Sequence, residues 1–353
     1  MTGGVVHFVV PAVIADAARP SGGNEYDRRL RTGLRELGVR VQEHLVTGGW
    51  PDPRSADLAA LTATLAAVPD RATVLIDGLV ASAAPVTVAE ATTRLHVVVL
   101  VHLPLGVTDA GRRADEATLL RRVAAVVATS AWTRSWLVEQ YAVPADRVTV
   151  SLPGTDPAEP ATGTRSGASF LCVGAVTPVK GHDLLVDALA AVRGLSWFCT
   201  CVGSLDADPA FVTGLRARLG RLGLVDRVGF TDVLTGPALD AAYRAADLLV
   251  LPSRVETYGM VVTEALARGL PVVGFRTGGV PETLGRAADG TVPGVLVPAG
   301  DPATLAVALS TWLGDAGLRA RARAAAVSRR DALPSWSETA TRVATVLSRR
   351  MAA

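Results

Sequence analysis

The stretch Ala246–Leu284 reads ADLLVLPSRVETYGMVVTEALARGLPVVGFRTGGVPETL. Two glutamates, Glu256 and Glu264, have seven residues between them, and Gly259 stands at the predicted start of a helix. Apolar runs before the loop and after the helix have the pattern of buried parallel strands joined by a crossover. The stretch therefore predicts a phosphate and sugar site at the edge of a parallel sheet.

The rest of the chain alternates short apolar runs with helical stretches, which predicts doubly wound parallel sheets of the α/β class. The predicted strands are Val5–Val10, Val39–Leu45, Thr73–Ile76, His96–Val101, Ala125–Thr129, Arg147–Val150, Ser169–Val173, Trp197–Val202, Arg227–Phe230, Asp247–Leu251, Pro271–Phe275 and Gly294–Val297. The predicted helices are Glu25–Leu37, Ala56–Ala67, Arg112–Arg122, Ala131–Tyr141, His182–Ala191, Pro209–Leu222, Ala238–Ala245, Val261–Arg268, Pro302–Gly314 and Pro334–Arg350.

The length of 353 residues exceeds one ordinary core and predicts two domains. A segment rich in Pro, Gly and Thr, 152–168, is typical of a linker. We therefore expect Rossmann-like domains over 1–151 and 169–333, facing each other across a cleft, and a last helix in 334–353 that packs back on the first domain. Ligands of such sheets bind outside the carboxyl ends of the strands, at a topological switch point.

Composition excludes several classes of protein. Hydrophobic residues make up 49% of the chain, which excludes disorder, and a net charge of +2 gives no reason to expect a nucleic acid or an anionic membrane as partner. No apolar run approaches the ~18 residues of a membrane span, and the first run, 5–18, lacks the preceding basic residues of an export signal. The three cysteines lie in strand-like segments, which predicts buried thiols in a reducing, cytoplasmic compartment.

The second half carries the stronger site signals. The helix predicted after Gly259 would direct free N–H groups at a diphosphate, with Glu264 ~7 Å further along its axis and Glu256 before it. Carboxylates accept hydrogen bonds from vicinal hydroxyls, although two solvated glutamates are the simpler alternative. Lys180 stands at a loop-to-helix junction, where it would neutralise a phosphate or simply be exposed.

The first half offers weaker signals. Gly22 and Gly23 end a long loop before a helix and permit a ligand to approach the backbone. His102 follows a buried strand, as does Asp77, and a histidine there is either structural or functional. Asp206 and Asp208 match a metal-binding pattern, but aspartates before a helix commonly act as caps, so we expect no metal site there.

These residues together resemble the retaining glycosyltransferases of family 4, also called glycosyl transferases group 1, which have the GT-B fold. The likeness is most specific over SRVETYGMVVTEALARGLPVV and the following TGGVPE, and extends to VVATSAWTRSWLVEQYAVPADRVTVSLPGTD and GFTDVLTGPALDAAYRAADLLVLPS. It implies a nucleotide-sugar donor, a UDP-sugar or a GDP-sugar, held mainly by 169–333. The acceptor, on the side of 1–151, would be a small molecule, a lipid or a glycan.

The resemblance also implies roles for single residues. Glu264 would hold the ribose, Glu256 the donor sugar, Lys180 the diphosphate, and His102 the transferring sugar. Further donor contacts would come from Gly22, Gly23, Gly229, Phe230, Tyr258, Gly259, Met260 and Val261. No metal or other cofactor would be required.

The chain departs from the family at Ala175, where an arginine usually completes a clamp on the diphosphate. Arg254 or Arg28 would have to replace that arginine. The predicted reaction is transfer with retention of anomeric configuration. A nucleotide-sugar-binding protein without transfer activity, and a phosphorylase or epimerase of the same fold, are the alternatives.

Overall fold

The computed structural model describes residues 4–16 and 20–348, and its architecture is α/β, with two parallel six-stranded sheets. The strands are β1 Val5–Pro11, β2 Arg40–Val46, β3 Thr73–Asp77, β4 His96–Val101, β5 Ala125–Ala128, β6 Val148–Val150, β7 Ser169–Val173, β8 Phe198–Val202, β9 Val228–Phe230, β10 Leu248–Leu251, β11 Val272–Arg276 and β12 Gly294–Pro298.

The α-helices lie between and after these strands. They are α1 Gly22–Glu36, α2 Ser55–Ala66, α3 Gly78–Ala83, α4 Pro85–Ala91, α5 Leu105–Thr108, α6 Arg113–Arg122, α7 Ala131–Tyr141, α8 His182–Ala191, α9 Pro209–Leu222, α10 Gly236–Ala245, α11 Met260–Ala267, α12 Val280–Leu284, α13 Pro302–Gly314, α14 Ala316–Arg329 and α15 Trp336–Ser348. Among the residues described, no helix combines the length and apolarity needed to cross a bilayer.

The chain forms two compact units, one of residues 1–154 and 334–353 and the other of 155–333. In the first unit the strand order is β2-β1-β3-β4-β5-β6. Strands β3 and β4 are buried on both faces because helices cover the sheet on each side, which explains their runs of Val, Leu and Ile.

The second unit has the strand order β12-β11-β10-β7-β8-β9. This is the order of a Rossmann sheet, and the direction of winding reverses between the neighbours β7 and β10. The carboxyl ends of these two strands therefore define the switch point at which a ligand is expected.

Helix α15 belongs to the first unit, although it follows the second in sequence. Its Val343 and Leu347 share a core with Leu30 and Leu34 of α1. At its start, the Thr339 hydroxyl donates to the carbonyl of Leu152 (2.8 Å). The core of the first unit is thus completed by residues from both ends of the chain.

Every predicted strand is confirmed to within one residue at either end, and the predicted α/β class is correct. The prediction for α1 was wrong at its start, because the helix begins at Gly22 and includes both glycines in its first turn. Helices α3, α4, α5, α12 and α14 were not predicted. The last two residues of the predicted helix Pro334–Arg350, and residues 17–18 of the first apolar run, lie outside the described residues. Cys172, Cys199 and Cys201 are buried free thiols.

Candidate functional site

Two loops meet at the switch point of the second unit. One follows β7 and carries Lys180, and the other follows β10 and carries Glu256. The Lys180 Nζ lies 2.6 Å from the Glu256 Oε1, and the Ser253 hydroxyl donates to the same oxygen (2.9 Å). Glu256 Oε2 accepts no hydrogen bond from the described part of the chain. The pair thus presents one carboxylate oxygen and the remaining N–H groups of an ammonium.

Backbone contacts fix these loops against their neighbours. Gly278 has φ +50°, and a Cβ there would lie 1.7 Å from the carbonyl oxygen of Glu256. The Gly279 N–H donates to that same oxygen (3.0 Å). Likewise, a Cβ on Gly181 would lie 1.9 Å from the Pro252 oxygen. The glycines in TGGVPE and VKGH therefore allow the close packing that positions Glu256 and Lys180.

Helix α11 begins beside Glu256. Gly259 precedes it with φ +86°, a left-handed conformation that favours glycine, and the predicted helix start is confirmed. The N–H of Val262 bonds the Gly259 carbonyl, so the amides of Met260 and Val261 lie ahead of the first intrahelical bond. Tyr258 is buried, and burial together with the charge of Glu282 raises the pKa of its phenol.

Glu264 lies one turn along α11, partly exposed. The buried Tyr243 hydroxyl donates to its Oε2 (2.7 Å), and Arg268 lies over the Tyr243 ring, 4.5 Å from its centroid. Burial and the neighbouring Glu264 charge raise the pKa of Tyr243 well above its ordinary value, so the phenol stays a donor. Tyr243 thereby fixes the orientation of the Glu264 carboxylate.

The remaining predicted donor residues of this unit lie at the edge of the sheet. Gly229 and Phe230 end the edge strand β9, with Gly229 exposed and Phe230 partly packed on the core. Their predicted contact with the base remains a prediction.

The two proposed replacements for an arginine at Ala175 are already paired. Arg254 binds both oxygens of Asp183 (2.8 and 2.6 Å). Arg28 lies 2.6 Å from a carboxylate oxygen of Glu25. Of the three cationic groups considered, Lys180 alone contacts Glu256.

In the first unit, His102 lies between two buried carboxylates. Its Nε2 lies 2.9 Å from Asp27 Oδ1 and 3.4 Å from Asp77 Oδ2. A Cβ on Gly23 would lie 3.2 Å from the His102 ring, which explains the glycine at that position. The Tyr26 ring packs edge-on against the same imidazole (centroids 5.1 Å apart). Gly22 is exposed at the start of α1.

The pKa values of His102 and Asp77 are both shifted by their surroundings. Burial lowers the pKa of His102, but the charge and hydrogen bond of Asp27 and the charge of Asp77 outweigh it and raise the pKa. Burial and the charge of Asp27 raise the pKa of Asp77. The nitrogen and the two oxygens lie within 4.8 Å of one another, so the cluster can hold a shared proton or a cation.

Sequence reasoning missed three residues that shape these groups: Ser253, Tyr243 and Asp27. The signal for Asp27 was available, since it lies four residues after Gly23 and hence on the same face of α1. Neither Ser253 nor Tyr243 had a comparable signal, because their partners become known only once the loops and helices pack.

The region that holds Lys180, Glu256 and Glu264 also matches a known protein family. Residues 167–315 match the family described as Glycosyl transferases group 1. The matched residues lie within the second unit and cover most of it. The resemblance predicted from the sequence is thereby confirmed for that region.

Several curated relatives are named D-inositol 3-phosphate glycosyltransferase. The chain is 39% identical over 208 residues to a D-inositol 3-phosphate glycosyltransferase of Salinispora arenicola, covering 52% of this chain and 46% of the relative. To the protein of the same name from Frankia alni it is 33% identical over 248 residues, covering 65% and 60%. The chain spans about half the length of the curated relatives it matches.

Solved structures extend the fold likeness over nearly the whole chain. Anabaena HepE in complex with UDP and glucose gives a TM-score of 0.76 at 21% identity, covering 98% of this chain and 99% of that one. Sucrose-phosphate synthase from Thermosynechococcus elongatus gives 0.79 at 21% identity, covering 99% of each. At these identities the likeness shows the GT-B fold.

Proposed function

We propose that this protein is a glycosyltransferase that moves a sugar from a nucleoside-diphosphate sugar to an acceptor hydroxyl, with retention of configuration and without a metal. The proposal rests on the Lys180–Glu256 pair at the switch point, beside the start of α11. A cation, a carboxylate and free helix N–H groups together match a diphosphate joined to a sugar.

Each group has a distinct role in the proposed reaction. An ammonium has three N–H donors, so Lys180 can keep its contact with Glu256 and still bind the departing diphosphate. The amides of Met260 and Val261 add fixed positive dipoles beside that charge. Glu256 Oε2 accepts from a sugar hydroxyl, and Glu264 holds the ribose.

In this proposal the bond from C1 of the sugar to the diphosphate breaks first. The acceptor hydroxyl then attacks C1 from the same face, and a phosphate oxygen of the departing nucleotide takes its proton. His102, in the first unit, contacts the transferring sugar, as the resemblance implies.

UDP is the first donor nucleotide to test, because it is the ligand named in the complexes of HepE. D-inositol 3-phosphate is the first acceptor to test, because the curated relatives are named for it. The experiment measures transfer and donor hydrolysis with UDP-sugars, using Glu256→Gln and Glu264→Ala. Loss of turnover in the first and of donor affinity in the second is expected. Unchanged rates in both variants would refute the site.

A second candidate function is binding of a nucleotide sugar without transfer. It is favoured by Ala175, which stands on the loop of Lys180 where the family usually has an arginine, and by Arg254 on the neighbouring loop, which is paired with Asp183. Release of free nucleoside diphosphate on incubation with a donor would rule out this candidate. Activity with free phosphate, or without an acceptor, would instead indicate the phosphorylase or epimerase alternative.

A further inference from the structure

A cavity of about 160 Å³ lies in the second unit, away from the residues assigned to the donor. It is lined by three arginines, Arg165, Arg319 and Arg323, and by Asp247 and Trp312. Asp247 directly precedes β10, so the cavity lies at the amino end of the strand whose carboxyl end leads to Glu256. About 13 Å of strand separates the two ends.

The single carboxylate of the cavity is already satisfied. Asp247 is 2% exposed. Its Oδ1 accepts from the Thr164 N–H (2.6 Å), and its Oδ2 accepts from the Thr164 hydroxyl (2.6 Å) and the Ser169 N–H (2.9 Å). Its charge is thus directed to the linker and the start of β7.

The arginines, by contrast, have no anionic partner in the part of the chain that the structure describes. Arg319 Nη1 donates to the carbonyls of Trp312 and Leu313, and Arg323 Nη2 donates to the carbonyl of Ala161. Within residues 4–16 and 20–348, none of the three cavity arginines forms an ion pair with a carboxylate. Three arginines and one hydrogen-bonded carboxylate therefore line the cavity, so that positive charge is in excess; Arg319 and Arg323 are half-buried and Arg165 is exposed.

The residues that line the cavity carry three positive charges and one negative charge. A guanidinium stays charged at any physiological pH and offers a planar fork of donors that matches oxyanions. Arg319 and Arg323 are four residues apart on α14 and so project from the same face. Arg165 reaches the cavity from the linker, so the three donors converge from two segments.

We infer that this cavity binds a phosphate-type dianion, either inorganic phosphate or the phosphate group of a small metabolite. The site is separate from the proposed donor site and does not depend on the proposed function. An anion there would bridge the linker residue Arg165 to helix α14.

The test measures the binding of inorganic phosphate to the full chain by calorimetry and by the rise in Tm, at constant ionic strength set with chloride. Arg165→Ala is the decisive variant, because Arg165 makes no hydrogen bond or ion pair with described residues and its loss should leave Tm without phosphate unchanged. We expect about tenfold weaker binding in that variant, and a further tenfold loss on adding Arg323→Ala.

Arg321→Ala is the matched control, since Arg321 lies on the same helix, is exposed, and pairs with Asp315 instead. Lys180→Ala separates this site from the proposed donor site and should keep the calorimetric signal. The inference is overturned if wild type shows no binding, if Arg165→Ala and Arg321→Ala bind alike, or if Lys180→Ala abolishes binding.

A second titration distinguishes the sources of the anion. Tighter binding of glycerol phosphate than of inorganic phosphate, lost in Arg165→Ala, assigns the site to a phosphorylated metabolite. Equal binding, also lost in that variant, assigns it to free phosphate. Binding of either probe that Arg165→Ala leaves unchanged counts against the cavity.

Discussion

Replacing Gly278 by alanine should move Glu256 without touching its side chain. A Cβ at position 278 would lie 1.7 Å from the Glu256 carbonyl oxygen, whereas such contacts are not found below 3.0 Å. The loop must therefore retreat by about 1.3 Å, the difference between these distances, because the core packs too tightly to absorb the clash. The hydrogen bonds from Gly279 and Thr277 into that loop are then strained or lost.

The expected cost follows from these contacts. Alanine in a left-handed conformation costs ~1–2 kcal/mol, and each lost hydrogen bond costs about 1 kcal/mol. The total of roughly 3–4 kcal/mol should lower the Tm of a unit of this size by roughly 10 °C. Gly290→Ala is the matched control, because Gly290 is also left-handed (φ +84°) but a Cβ added there would meet no described atom within 4 Å. It should lose only roughly 5 °C.

The assay pairs calorimetry with titration of a UDP-sugar. Gly278→Ala should bind the donor more weakly than Gly290→Ala at a temperature where both variants are folded, because only the first displaces Glu256. Equal Tm losses together with equal donor affinities would refute the reasoning that Gly278 positions the carboxylate.

Four further outcomes are expected. Glu264→Gln should raise the KM for the donor with little change in kcat. Tyr243→Phe should raise the KM by a smaller factor, about fivefold, because only one hydrogen bond is lost. In kinetic assays, a change in kcat alone would contradict both expectations. EDTA should leave transfer unchanged, and loss of activity restored by Mn²⁺ would instead assign a cation to the cluster around His102. The pKa values of His102 and Asp77 are both raised in the folded protein. The contribution of these two groups to the free energy of unfolding is therefore fully present at low pH and is lost as the pH rises through the folded-state pKa values. In Asp77→Asn, Tm should therefore fall less between about pH 5 and 8 than in wild type, and parallel curves would contradict this. Glu256→Gln should weaken the contact with Lys180. We expect a large fall in kcat, measured by steady-state kinetics, with only a small fall in Tm, measured by calorimetry.

The parts of the fold that sequence predicted are those in which one interaction dominates. Strand β4 is a run of valine and leucine buried on both faces, and its bounds were correct. Helix α14 was missed because its buried face consists of alanines, Ala322, Ala325 and Ala326. Alanines also occur on its exposed face, so hydropathy does not distinguish the two faces.

The candidate site divides in the same way. Lys180 and Glu256 follow neighbouring strands of a doubly wound sheet, so topology alone places them at one edge. The cluster of Asp27, Asp77 and His102 was predicted only in part. Asp77 and His102 were placed after buried strands, but the contact of Asp27 with them depends on how α1 packs on the folded sheet.

The return of α15 to the first unit has a consequence for how the protein is made. Residues 155–333 are inserted between two parts of the first unit, so the second unit can complete its core while the first still lacks Val343 and Leu347. At 5–20 residues per second, about 10–40 s pass between synthesis of residue 154 and of α15. During that interval the part of α1 that α15 covers stays exposed on the nascent chain. The first unit is therefore completed last, although most of it is translated first.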